Sequence, residues 1–311
     1  LNGTLEVGSY SVLVFLTQRF LWPFTTLSTL IDDFERTMAS TKRIFNMMNV
    51  DRKIKNIDSP RLLNDCKADI SFDNVGFSYD NQKPLFEDFN LSIPFGSSIG
   101  IVGDTGSGKT TIAKLLLRLY DIDDGKITIG ETPLDTIDIS FLRRRIGIVN
   151  QSPFLFNATI KDNIGYGLNN LTMDQIEHAA NQSQATEFIE QLPKGFDTMV
   201  GERGQMLSGG QQQRIAIART VIRNPDIIIF DEATSSVDNK TEQLIQKALF
   251  NIQKGRTSII IAHRLSTIRN CSTIFLIKDG KVIEKGNHES LVNDGNSYYS
   301  QLWDIQTGKK K

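Results

Sequence analysis

The 311-residue chain carries 35 basic and 36 acidic side chains, a formal net charge of -1, with 39% hydrophobic and 23% charged residues. This excludes a disordered chain and allows one sizeable domain plus an extra piece, while the balanced charge supplies no basic field for a nucleic-acid backbone. Cys66 and Cys271 are too few for a disulfide framework or metal cluster and fit a reducing compartment, and His178, His263 and His288 show no metal-ligand spacing.

The chain opens at Leu1 without a charged n-region and cleavage site, which we read as the C-terminal part of something longer, without a signal peptide. Tyr10 to Leu30 is mostly apolar; as a helix it would reach roughly 31 Å, about one hydrocarbon thickness. Gln18, Arg19 and Pro23 interrupt it, so an amphipathic helix outside the bilayer is the alternative. Glu6 alone precedes the segment, whereas Arg36, Lys42, Arg43, Arg52, Lys53 and Lys55 follow it, the asymmetry of a span whose C-terminal side is cytoplasmic. Helical spacing of Ile31, Phe34, Met38 and Phe45 continues to about Met48 as a stalk, giving a first region over 1–50. Polar residues and Pro60 mark a linker over 51–67, and a soluble domain is expected over 68–308.

In that domain Ile70–Val75, Leu91–Ile93 and Ile99–Val102 read as strands and Thr111–Leu119 as a helix. Ile146–Val149, Ile227–Phe230, Ser258–Ile261 and Ile274–Ile277 are short apolar runs of buried-strand type, as a mainly parallel, covered α/β sheet requires. The polar, helical stretch from Ile160 to Ala218 is expected to form a subdomain beside the sheet.

Two motifs carry chemistry. Gly103-Asp104-Thr105-Gly106-Ser107-Gly108-Lys109-Thr110, followed by Thr111, has the spacing G-x-x-x-x-G-K-[ST] between strand and helix. Such a loop aims backbone N–H groups and a helix dipole at one spot, a polyphosphate site, with Lys109 on the β- and γ-phosphates and the Thr110 hydroxyl on Mg²⁺. Asp231 ends the apolar run from Ile227 and would hold Mg²⁺ at the edge of a core strand; Glu232 is then free to act as general base toward water. An Asp-Glu pair capping the next helix is the plainer reading of the same residues.

With Leu207-Ser208-Gly209-Gly210-Gln211 between these motifs, the chain resembles the nucleotide-binding domain of ABC transporters, preceded by the last membrane helix of an exporter-type half-transporter. The resemblance implies a P-loop NTPase fold with a helical subdomain and assigns further residues. Tyr79 would stack on adenine. Gln151 would sense Mg²⁺ and water and relay to the membrane part. Ser208, Gly209, Gly210 and Gln211 would offer helix N-terminal donors to a γ-phosphate, and His263 would contact that γ-phosphate. Ser235-Ser236-Val237-Asp238 resembles the D-loop, although the commoner pattern has Ala-Leu in its middle. The family further implies ATP and Mg²⁺ as ligands, a homodimer with two composite ATP sites, and residence in the cytoplasmic (inner) membrane as part of a multi-pass protein. It implies export of an amphipathic peptide, lipid or drug, a microcin-type antibacterial peptide among them. A lipid flippase, or a soluble ABC ATPase of DNA repair or translation, are the alternatives; Lys109 and Ser208 are too close in sequence for the long coiled-coil insertion of the repair members.

Overall fold

The computed structural model describes residues 6–50, 53–57, 59–61, 63–80, 83–231, 239–262 and 264–308. It falls into two units, Leu1–Lys55 and Asn56–Lys311.

The first unit is a single helix, α1 (Val7–Met48), of 42 residues with Pro23 inside it and no buried residue of its own. Leu13, Phe15, Phe20, Leu21, Trp22 and Phe24 are all exposed. The hydroxyls of Thr17, Thr25, Thr26 and Thr29 donate to carbonyls three or four residues back, satisfying themselves within the helix. Among the described residues no helix is long and apolar enough to cross a membrane. In α1 the helix expected over Tyr10–Leu30 is present, but these threonines, with Gln18 and Arg19, dilute its hydropathy.

In the second unit, β1 (Ile70–Phe77), β2 (Phe86–Ile93) and β3 (Ser98–Gly103) lead into α2 (Lys109–Leu116), followed by β4 (Asp124–Ile129), β5 (Thr132–Pro133), α3 (Ile139–Arg145) and β6 (Ile146–Val149). Four helices come next: α4 (Ile160–Ile164), α5 (Met173–Gln182), α6 (Thr186–Glu190) and α7 (Gly209–Val221). The chain then returns through β7 (Ile227–Asp231), α8 (Asn239–Gln253), β8 (Thr257–Ile261), α9 (Leu265–Ile268), β9 (Thr273–Lys278) and β10 (Lys281–Gly286), and closes with α10 (His288–Asn293) and α11 (Tyr298–Thr307).

The expected parallel core is a six-stranded sheet in the order β10-β9-β3-β8-β7-β6. Five strands are parallel and β10 runs antiparallel to β9 at the edge. Strands buried on both faces tolerate unbroken apolar runs, which is why Ile227–Phe230 and Ile259–Ile261 do not alternate with polar residues. Period two still sorts the side chains: Ile227 and Ile229 enter one core, Ile228 and Phe230 the other. A second, antiparallel sheet in the order β2-β1-β4-β5 covers the first of these cores. It was not expected as a separate sheet, because β4 opens on Asp124-Gly125-Lys126 and its apolar part is only Ile127–Ile129.

Leu155, Ile160, Ile164, Phe188, Ile189 and Ile215 form a third core beneath α4, α5, α6 and α7. This is the helical subdomain. The helix α7 belongs to both regions, giving Ile215 and Ala218 to this core and Ile217 and Val221 to the sheet. The linker is held down at its end: Cys66 is fully buried, and its backbone N–H donates to Asp226 Oδ2 at 3.0 Å, beside Arg145 at 3.7 Å.

Candidate nucleotide site

At the end of β3 the chain must leave the sheet, and glycines make that possible. Gly103, Gly106 and Gly108 take φ of 152°, 85° and 102°, a region in which a Cβ is penalised. A Cβ on Gly103 would overlap the Ile277 carbonyl of neighbouring β9, and one on Gly108 would stand 2.5 Å from the Phe86 ring. Close packing therefore demands both residues. Gly108 caps α2 without a side-chain hydrogen bond, so no side chain fills the first-turn amides. Exposed N–H groups at the positive end of a helix dipole are an anion site.

Lys109 is 6% exposed and donates from Nζ to the carbonyls of Gly103 at 2.8 Å and Asp104 at 2.7 Å, arching its ammonium over the loop. Ser107 Oγ is buried and lacks a hydrogen-bond partner among the described residues. The Thr110 hydroxyl donates to Asp231 Oδ1 at 3.4 Å, so a hydroxyl and a carboxylate from two different elements face each other at the loop. Oxygen donors of this kind suit a hard divalent cation, and together with the orphaned Ser107 hydroxyl they fit a Mg²⁺-bound polyphosphate.

Tyr79 follows β1. Its hydroxyl shares a 2.9 Å hydrogen bond with Thr111 Oγ1, its ring meets Phe77 and Tyr120 edge-on at 4.9 and 5.1 Å, and Lys114 Nζ lies 5.4 Å from the ring centroid. The ring is thus fixed against α2. Tyr79, Lys83, Leu85, Thr105, Lys109 and Thr110 line a cavity of about 480 Å³, large enough for a nucleotide.

Gln151 lies exposed two residues after β6. The carbonyl of Asn150 accepts from Gln213 Nε2 of α7 at 3.1 Å, which ties this segment to the helical subdomain. Ser208 caps α7 in a reciprocal box: its Oγ accepts from Gln211 N at 3.3 Å, and Gln211 Oε1 accepts from Ser208 N at 2.9 Å. The Gln211 side chain is therefore engaged by its own helix, and it is Gly209, exposed, with Gly210 that leaves backbone donors at the tip. Among the described residues no hydrogen bond joins Ser208, Gly209, Gly210 or Gln211 to the phosphate loop of the same chain. Glu232, His263 and the Ser235–Asp238 segment lie outside the described residues.

The sequence reading missed three neighbours of the site. Tyr120 and Lys114 flank Tyr79, and Tyr298 of α11 donates from its hydroxyl to Asp104 Oδ1 at 3.0 Å. That bond, with lesser help from desolvation, pushes the Tyr298 phenol above its ordinary range. Nothing in the sequence signals a pairing across 194 positions.

A glycine-fixed phosphate loop between β3 and α2, facing a carboxylate at the end of β7, defines a P-loop nucleoside-triphosphatase fold. Residues 86–235 match the family model described as ABC transporter. The chain is 40% identical over 303 residues to the ATP-dependent lipid A-core flippase of Legionella pneumophila (strain Paris), covering 97% of this chain and 51% of that one. It is 39% identical over 307 residues to ABC transporter B family member 21 of Arabidopsis thaliana, covering 98% and 24%. The structure of a bacterial Atm1-family ABC exporter with ATP bound superposes with a TM-score of 0.81 at 37% identity, over 98% of this chain and 54% of that one. The chain belongs to the ABC transporter family as a nucleotide-binding domain homologous to those of exporter half-transporters. It spans about half the length of the flippase relative. ATP with Mg²⁺ is the ligand of such a domain.

Proposed function

We propose that this chain is the ATP-hydrolysing part of a dimeric ABC exporter that moves an amphipathic molecule across the cytoplasmic membrane. The observation that carries the reading is the meeting of Thr110 and Asp231 at the mouth of a glycine-fixed loop closed by Lys109. The loop amides and Lys109 would hold the phosphates, and Tyr79 would stack on the base. Thr110, Asp231 and Gln151 would hold Mg²⁺, which when bound neutralises charge on the phosphoryl oxygens. Glu232 would take the proton from the attacking water and His263 would orient the γ-phosphate. Ser208, Gly209 and Gly210 would serve the site of a second copy.

For the first unit we propose a membrane-domain helix and stalk. Its large apolar side chains are exposed on a helix that buries none of its own residues, and its polar residues would face other helices or a wet path. Lipid is the substrate class we favour, because the Legionella relative and that of Sodalis glossinidius, 41% identical over 310 residues, are named lipid A-core flippases. The test is Glu232→Gln in the full-length protein: ATP binding should persist while turnover stops, because an amide keeps the shape but cannot accept the proton. Hydrolysis at the wild-type rate would remove Glu232 from the base role.

A further inference from the structure

The C-terminal helix α11 holds the phosphate loop at one end and the start of α9 at the other. At its start, the Tyr298 hydroxyl donates to both carboxylate oxygens of Asp104, at 3.0 and 3.3 Å, inside the phosphate loop. Near its end, Gln306 Oε1 accepts from the backbone N–H of Leu265 at 2.9 Å, two residues beyond His263 in sequence. The eight steps of helix from Tyr298 to Gln306 rise roughly 12 Å.

The helix is also rigidly seated. Glu284 of β10 accepts from Ser297 Oγ at 2.8 Å and from the N–H groups of Tyr298 and Tyr299 at 2.5 and 3.1 Å, so one carboxylate caps the helix start. Tyr299 is fully buried and hydrogen-bonds His288 Nδ1 at 3.0 Å, and Trp303 packs on the same imidazole at 4.5 Å between ring centroids. Lys278 Nζ lies 5.0 Å from the Tyr298 ring centroid. A helix held at this many points transmits its position to whatever its ends hold.

We infer that α11 is a strut that positions the phosphate loop through Tyr298 and the start of α9 through Gln306, making these two side chains positioning residues for ATP hydrolysis. The inference rests on the nucleotide reading proposed above. Its electrostatic logic concerns Asp104. A carboxylate in a loop that receives phosphate repels the ligand, and the phenol of Tyr298 engages both oxygens and fixes that charge on the α11 side. At the other end, Leu265 N–H begins α9, whose Arg264 N-cap makes no side-chain cap bond, so Gln306 supplies the acceptor that α9 lacks.

The experiment uses the full-length protein and steady-state ATPase kinetics alongside thermal melting. Tyr298→Phe removes only the hydroxyl, and it should raise KM for ATP roughly threefold to tenfold with kcat within about twofold. Adding Asp104→Asn should restore KM, because the unrestrained charge is gone. Gln306→Leu should lower kcat about fivefold at little change in KM, and Gln306→Glu, which keeps an acceptor for Leu265 N–H, should retain most activity. A wild-type KM in Tyr298→Phe, or a rise that Asp104→Asn leaves uncorrected and a fall in melting temperature accompanies, overturns the Tyr298 arm. A wild-type kcat in Gln306→Leu, or an equal loss in Gln306→Glu, overturns the other. Failure of the wild-type protein to bind ATP would instead sink the nucleotide reading itself.

Discussion

Replacing Gly108 by alanine tests how the phosphate loop is built. The residue sits at φ 102°, where an added Cβ costs about 1–2 kcal/mol. That Cβ would also lie 2.5 and 2.7 Å from two carbons of the Phe86 ring. Phe86 cannot retreat, being buried and stacked on Phe89 with centroids 4.4 Å apart, so overpacking adds about 1–3 kcal/mol. The sum, about 2–5 kcal/mol, corresponds to a melting temperature lowered by roughly 5–15 °C for a domain of this size. Because the same dihedral aims the loop amides, the rise in melting temperature on adding Mg-ATP should vanish as well. Phe86→Leu alone should cost about 1–2 kcal/mol through the lost ring stack. In the Gly108→Ala background it should return the overpacking share and leave the backbone share. A Gly108→Ala protein that melts within about 1 °C of wild type, or two costs that merely add, would refute the close-approach argument.

Asp226→Ala should cost about 2–4 kcal/mol in urea unfolding, because the Cys66 N–H loses its buried acceptor and the Arg145 guanidinium its ion-pair partner, whereas Asp226→Asn should cost less by keeping an acceptor for Cys66. Equal losses for the two variants would show that charge alone matters there. Desolvation pushes the thiols of Cys66 to about 12 and Cys271 to about 11, so both stay protonated from pH 6 to 9 and should resist iodoacetamide until denaturant is added. Alkylation of the native protein at the rate of an unstructured cysteine would contradict this.

The parallel sheet and the phosphate loop were legible because each rests on a local pattern: four- or five-residue apolar runs, and glycines spaced for a turn. Asp231 was legible for the same reason, as the first polar residue after such a run. The antiparallel sheet was not, because bulges break the register of β1 against both its partners and blur the alternation. The start of α2 at Lys109 rather than Thr111 follows from Gly108 serving as cap, a role set by its φ and invisible in hydropathy. Tyr298 and Gln306 were illegible for a deeper reason: their partners are chosen by tertiary packing. Gln211 shows the converse, since the spacing that suggested a ligand also encodes a capping box.

The order of the six-stranded sheet has a consequence for how the molecule is made. β3, which ends in the phosphate loop, lies between β8 and β9, and the hydrogen bonds beside it reach across 161 and 174 positions of chain. During synthesis at about 5–20 residues per second, β3 therefore waits roughly 8–35 s for both neighbours. Until then Ile99, Ile101 and Val102 are an apolar strand with two open edges, and Gly103 has no β9 carbonyl to close against. A nascent chain cannot grip ATP early, and a message cut short before β9 yields no partial ATPase, only a polypeptide whose sticky strands mark it for chaperones and proteases.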